Sequence, residues 1–315
     1  MSKILYGGLA TAALGVFALG VGAFSSLQSI PSRELEKEYL TENDRFVDVS
    51  GARVRVREQG SNTLPTIVLV HGFTYSLETW DEWTALLEND FHIIRYDLLG
   101  HGLTGPDPNK RYSPVERARF IGELFDALSI PKAILVGNSL GALAAWRFAS
   151  EYPDRVEALG LISPGAFVIE GGEEMPVSVS PAMKAYLLTA PEAAVRAGAE
   201  LVVGESYKVS DLRLKLMRDM IRREGNGAAM VESLEEFTLP DPSDALQKIT
   251  APTFIMWGAE DKIIPVEQGP RIASLITGAE FLKYDGVGHI AQEEIPQKTV
   301  SDFVGFLKRR VHRER

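Results

Sequence analysis

Apolar residues come in three kinds of run along this chain. The first is unbroken: Ile4 to Phe24 has no charged residue in 21 positions, and Lys3 precedes it. A helix of that length spans about 30 Å, enough to cross a bilayer core. Its small residues (Gly7, Gly8, Ala12, Gly15, Gly20) suit a membrane span. The second kind alternates. In Phe46 to Val49 and Arg53 to Arg57 valines trade places with charged residues, and Ser50-Gly51 separates the two runs, which predicts an antiparallel hairpin with one solvated face. The third kind is short and continuous: Thr66 to Val70, Phe91 to Tyr96, Ala133 to Val136, Val156 to Ile162, Thr253 to Trp257 and Glu280 to Tyr284 read as strands. Between them Trp80 to Leu87, Ser113 to Leu128, Leu143 to Phe148 and Pro296 to Arg310 have helical spacing. Strands alternating with helices predict an α/β fold, a mostly parallel central sheet with helices on both faces.

One stretch breaks the alternation. From Pro164 to about Pro240 the pattern is helical throughout, in Ala182 to Leu188, Pro191 to Val203, Ser210 to Arg223 and Ala228 to Phe237. Such an insertion, after the sixth strand, predicts a helical cap over the carboxyl ends of the strands, where ligands bind in this class. The expected division is therefore a membrane anchor or signal segment over 1–32, core over 33–163, cap over 164–240 and core again over 241–315. The charged stretch Ser32 to Arg45 reads as a linker. A cleaved signal is the alternative for the N-terminus, since Val21-x-Ala23 resembles a cleavage site, although the apolar run is long for one. A buried core helix fits poorly because the run is apolar all round. The expected location is membrane-anchored with the catalytic domain outside the cytoplasm, or secreted or periplasmic if the segment is removed.

Composition narrows the chemistry. The formal net charge of −10 argues against nucleic acid or an anionic surface as the main partner. Zero cysteines remove disulfides, thiolate nucleophiles and thiolate metal sites. The five histidines (His71, His92, His101, His289, His312) form no His-x-x-x-His pair, so no protein-built metal site is expected. No cofactor is implied.

Gly137-Asn138-Ser139-Leu140-Gly141 lies between a strand and a helix, so it predicts a sharp turn that lifts the Ser139 hydroxyl above the sheet at a helix N-terminus. By itself it is also an ordinary turn. Its partners decide: Asp261 follows the strand ending at Trp257, and His289 follows the strand ending at Tyr284. Ser, Asp and His in that order, each after a strand end, predict a nucleophile, an orienting acid and a base. Glu260 and Asp285 are rivals for the acid; Glu260 is one residue out of step and Asp285 is close in sequence to His289. The backbone amides of Phe73 and Leu140 are the expected oxyanion donors. His71, Asp97 and His101 read as structural residues of the neighbouring turns.

Together His-Gly-Phe (71–73), Asp-x-x-Gly-His-Gly-x-Thr (97–104), Gly-Asn-Ser-Leu-Gly (137–141), Trp-Gly-x-x-Asp-x-x-x-Pro (257–265) and Gly-x-Gly-His (286–289) resemble the α/β-hydrolase superfamily, serine esterase and lipase-like, over roughly Asp44 to Arg310 apart from the cap. The resemblance implies a serine hydrolase that cleaves carboxylic esters through an acyl-enzyme. Val-Gly-Asn-Ser and Glu-Tyr-Pro-Asp-Arg-Val also resemble carbon–carbon bond hydrolases of the meta-cleavage-product type. Those carry a tryptophan after the catalytic histidine where this chain has Ile290, and their oxyanion-loop pattern departs from His71 to Ser76. A non-catalytic binding protein and a peptidase, the latter with Glu173 and Glu174 as an amino-terminus site, are the remaining alternatives. Met175, Met183, Tyr186, Leu187, Leu188, Met217 and Met220 are candidates for an apolar acyl pocket, or simply for cap packing. Arg196, Arg218, Arg222 and Arg223 offer an acidic substrate a partner or form a solvated face. The expected partner is a small apolar ester or acyl compound.

Overall fold

The computed structural model describes residues 29–168 and 178–310. The span expected at Ile4 to Phe24, and Met175, Glu173 and Glu174, lie outside the described residues. Among the described residues no helix is long and apolar enough to cross a membrane.

Eight strands form one sheet in the order β1-β2-β4-β3-β5-β6-β7-β8: β1 Asp44–Val49, β2 Ala52–Gln59, β3 Thr66–Val70, β4 His92–Tyr96, β5 Ala133–Asn138, β6 Val156–Ile162, β7 Thr253–Gly258 and β8 Glu280–Tyr284. β1 and β2 run antiparallel to their neighbours, and every pair from β4 to β8 is parallel. The two-residue alternation of a strand feeds two cores. Val68, Val70, Leu135 and Trp257 join one cluster with Phe120 and Leu124 of the helix Pro114–Ala127. Ile67, Leu69, Val136 and Met256 join the other with Trp83 of the helix Asp81–Leu87 and Phe303 of the helix Pro296–Arg310. Helices thus cover both faces, which is why these strands are apolar on both sides. Ser113 caps its helix with a reciprocal bond to Glu116, and Pro114 occupies the first turn.

The sequence order reverses at β3, which lies between β4 and β5. A crevice opens at such a switch point beyond the strand ends. It brings the loop after β3, carrying Phe73, beside the turn after β5, carrying Ser139. Between β6 and β7 the described chain is helical, at Pro181–Thr189, Glu192–Leu201, Asp211–Arg222, Asn226–Glu235 and Ser243–Leu246. Ser180 and Ser210 cap the first and third of these through the amides of Met183 and Arg213.

Two expectations need correction. Ser32 to Tyr39, read as linker, is a helix: Tyr39 donates to Asp219 Oδ2 at 2.7 Å and Leu35 is buried against Met220 and Leu103. Tertiary contacts, not its polar composition, hold it in place. The hairpin does pair as expected, with Val49 opposite Ala52 and both Ser50 and Gly51 at positive φ, but its charged face is only partly solvated: Arg45, Asp48 and Arg53 are exposed. Arg55 and Arg57 are buried, sharing Asp44, with Arg55 also on Glu78 and Asp97. Burial pushes the Asp44 carboxyl up, yet the two guanidiniums outweigh it and hold it down to about 2. Covering by Glu78 and Asp97, both distant in sequence, is what the alternating pattern could not reveal.

Candidate active site

The turn after β5 is built around two missing side chains. A Cβ on Gly137 would come within 2.5 Å of the Gly141 and Ala142 backbone, and one on Gly141 within 2.3 Å of the Val70 carbonyl. The helix Leu140–Glu151 therefore starts in direct backbone contact with β3 and β5. Ser139 takes the strained conformation this demands, with φ 54° and ψ −116°. Its amide donates to the Ile162 carbonyl at 3.0 Å, which ties the strained residue to β6. Leu140 is the first residue of the helix, so its amide has no acceptor within it.

Asp261 Oδ2 lies 2.7 Å from His289 Nδ1, and both side chains are nearly inaccessible to solvent. Asp261 Oδ1 accepts the amides of Ile263 and Ile264 at 2.8 and 2.9 Å. Burial pushes the Asp261 carboxyl up, but His289 and these two amides more than offset it and hold it below the usual carboxylate range. The rivals point elsewhere. Glu260 Oε2 accepts the Glu205 amide at 3.0 Å, and the Asp285 side chain is 92% exposed beside Lys283.

Ser139 and His289 face one cavity of about 70 Å³, with Phe73 from the loop after β3. Its other walls include Tyr75, Met183, Tyr186, Met217 and Ile263, and no described lining residue is Lys or Arg. Burial pushes the Tyr186 phenol up to about 12, so it stays neutral. Of the other pocket candidates, Leu187 and Met220 are packed in clusters and Leu188 is exposed. The four arginines stay outside the cavity: Arg196 pairs with Asp211, Arg218 bonds the Ala190 carbonyl and Arg223 the Glu224 carbonyl. His71 holds two loops together: its Nε2 accepts the Leu98 amide at 2.9 Å, so Nδ1 carries the proton toward the Gly72 carbonyl at 2.8 Å. Asp97 accepts the amides of Leu77 and Leu103, and His101 packs edge-on to Phe73.

Sequence reasoning missed three supports. Asn138 Nδ2 donates to the carbonyls of His289 (3.0 Å) and Ile162 (3.2 Å), joining the His289 loop to the sheet. Arg213, from the helix Asp211–Arg222, reaches across to Glu293, which also takes the Thr79 hydroxyl. Glu294 accepts amides on either side of His289. The only signal for the last two was the acid pair Glu293-Glu294 shortly after the histidine.

Residues 65–296 match the family model described as alpha/beta hydrolase fold. A putative 2-succinyl-6-hydroxy-2,4-cyclohexadiene-1-carboxylate synthase of Bacillus subtilis is 28% identical over 264 residues, covering 81% of this chain and 95% of the relative. A 2-hydroxy-6-oxo-6-(2'-aminophenyl)hexa-2,4-dienoic acid hydrolase of Metapseudomonas resinovorans is 25% identical over 287 residues, 89% of this chain and 94% of the relative. Among solved structures, a serine hydrolase involved in carbazole degradation superposes with a TM-score of 0.74 at 22% identity, covering 85% of this chain and 99% of that one. With a family match across most of its length and a mostly parallel eight-stranded sheet, the chain belongs to the α/β-hydrolase family and is an enzyme of that class.

Proposed function

We propose that this enzyme is a serine hydrolase that cleaves uncharged carboxylic esters through an acyl-enzyme. The observation that carries the reading is one cavity, apolar and with no Lys or Arg among its described lining residues, into which both Ser139 and His289 open while Asp261 grips the far nitrogen of the imidazole. His289 Nε2 takes the Ser139 proton as the hydroxyl oxygen bonds to the ester carbonyl carbon. The amides of Phe73 and Leu140 hold the resulting oxyanion. His289 then returns its proton to the departing alkoxide, which leaves as the alcohol. Water, deprotonated by the same imidazole, attacks the acyl-enzyme, and Ser139 recovers its proton as the acid is released. Asp261 orients the ring and stabilises its cation throughout.

A second reading, carbon–carbon bond hydrolysis, draws on the name of the Metapseudomonas relative, a hydrolase of a dienoic acid. Such a substrate carries a carboxylate. The described lining offers it no Lys or Arg, and burying it in an apolar cavity near Asp261 is costly without a cation. The uncharged ester is the better match. The 21 uncharged residues Ile4 to Phe24 support a membrane anchor and Lys3 before them favours a catalytic domain outside the cytoplasm, and membrane fractionation with mass spectrometry of the native N-terminus tests this against secretion after cleavage.

The deciding experiment is a panel of p-nitrophenyl esters beside a vinylogous diketo acid, with fluorophosphonate labelling. Burst release from the esters and labelling at Ser139 are expected. Preferential turnover of the diketo acid transfers the site to the second reading. Indifference to every substrate and to the probe leaves a binding protein on this fold.

A further inference from the structure

The cap segment 202–205 touches the loops of both Asp261 and His289 through its backbone. The His289 amide donates to the Val202 carbonyl at 2.7 Å, the Gly204 amide to Glu294 Oε2 at 2.8 Å, and the Glu205 amide to Glu260 Oε2 at 3.0 Å. Contact is closer than side chains permit. A Cβ on Gly288 would fall 2.5 Å from Val203 C, and one on Gly204 would fall 2.4 Å from the Gly286 carbonyl oxygen. Gly286 itself sits at φ +74°.

Glu294 is the hub of this junction. Its carboxylate accepts the Gly288 amide with both oxygens at 3.0 Å, the Ile290 amide at 3.4 Å and the Gly204 amide from the cap. The amides before and after His289 are thus drawn to one anion, and that anion is shared with the cap. Glu293, its neighbour, pairs with Arg213 of the cap helix Asp211–Arg222, so the two acids bind the cap at separate points. Neither acid touches the cavity.

We infer that Glu294 is a positioning residue: it aligns His289 with Ser139 and makes that alignment depend on the cap being seated on residues 286–294. The inference rests on the serine hydrolase reading, because alignment is read through Ser139 chemistry. Removing the anion frees two amides that flank the base, and a misplacement of about 1 Å at such a group costs on the order of a hundredfold in rate.

The test is Glu294→Gln in the full chain, with Glu294→Asp beside it. The neutral amide keeps the size and one acceptor oxygen but replaces the other with a donor, so the flanking amides and the Gly204 amide can no longer all be accepted; the aspartate keeps the charge on a shorter stem. With Glu294→Gln folded at the assay temperature, kcat is expected to fall about ten- to a hundredfold while KM stays within about threefold. The low-field proton resonance of His289 Nδ1–H should shift in the same variant, and Glu294→Asp should recover part of kcat. A loss of stability alone would not move these quantities in a protein that remains folded. A folded Glu294→Gln with wild-type kcat and an unmoved resonance overturns the inference. If Glu294→Gln does not fold, Glu294→Asp is judged by the same two measurements. Wild-type protein that resists fluorophosphonate sinks the hydrolase reading instead, and the resonance still reports whether Glu294 holds His289.

Discussion

Below the cavity, Ser139 and His289 stand on loops packed backbone against backbone, at Gly137 and Gly141 under the serine and at Gly258 and Gly288 under the histidine. Above it, Met183, Tyr186 and Met217 line the cavity from cap helices whose apolar side chains form a cluster of their own. The difference separates two tasks. A floor made of main-chain contacts has almost no freedom to move a reacting atom, whereas a roof of Met and Tyr can change shape without moving the floor. Chemistry is expected of the first and substrate choice of the side chains that line the second, with the cap segment 202–205, bonded to His289 and Glu294, as the backbone tie between them.

The largest break is expected on the floor. Ser139→Ala should cost about 10⁶ in kcat, and Asp261→Asn about 10⁴, because the wrong imidazole tautomer is then stabilised. Ester turnover in both variants, with circular dichroism to confirm folding, checks the order. An Asp261→Asn enzyme within tenfold of wild type would remove Asp261 from the mechanism.

Backbone packing sets the next effect. Gly141→Ala drives a Cβ to 2.3 Å from the Val70 carbonyl and 2.5 Å from that of His71, atoms that cannot retreat without distorting β3. A loss of about 3 kcal/mol or more is expected in urea unfolding. Gly198→Ala is the matched substitution in the roof. Its Cβ meets the Tyr186 hydroxyl at an ordinary 3.5 Å, inside the helix Glu192–Leu201. Relief of glycine's entropy in a helix should leave it neutral or up to about 1 kcal/mol more stable. Equal losses at both positions would erase the distinction between floor and roof.

This asymmetry also explains what could be read in advance. Gly137 to Gly141 announce their geometry because the strand, the turn and the helix are neighbours in sequence. The order of strands and their apolar runs announced the sheet in the same local way. Arg55 and Arg57 did not: alternation along β2 marks them as solvent-facing, and partners brought in by the fold, Glu78, Asp97 and the Tyr39 carbonyl among them, reverse that. Glu294 showed only its place beside Glu293, shortly after the histidine. Its significance lies in a bond to Gly204, 90 residues away, and no spacing rule connects the two. Local geometry was legible; partnerships made by the chain's return were not.

Acid should also find the floor first. His71 is buried and neutral, and burial, partly offset by its bond to the Gly72 carbonyl, lowers its pKa to about 4. An unfolded histidine binds its proton near pH 6.5. The unfolded state therefore holds the extra proton between those values, so stability is full above pH 6.5 and lost as pH falls toward 4, by about 3 kcal/mol at the end. His101 is shifted the same way by burial and adds to the slope. Residues 164–240 contain no histidine, so the cap adds no imidazole to that slope. His71→Gln should flatten the stability-versus-pH curve by one proton across that window, whatever it does to stability at pH 7. An unchanged slope would show that His71 does not carry it.

The smallest effect tests the roof alone. Met183 lines the cavity from the helix Pro181–Thr189 and is only half-buried, so removing its side-chain end adds room without opening the core. Met183→Ala should cost about 1 kcal/mol of stability or less. Its effect on catalysis should be selective. One methylene's worth of apolar contact changes discrimination about ten- to a hundredfold at most, and an edge position should sit at the low end. We expect kcat/KM for acyl chains longer than the wild-type optimum to rise about threefold to tenfold relative to acetate. The rate of fluorophosphonate labelling at Ser139, which needs only the floor, should stay within about twofold. If labelling falls as steeply as ester turnover, the cap shapes the reacting groups themselves. The division of labour between main-chain floor and side-chain roof would then fail at its most permissive point.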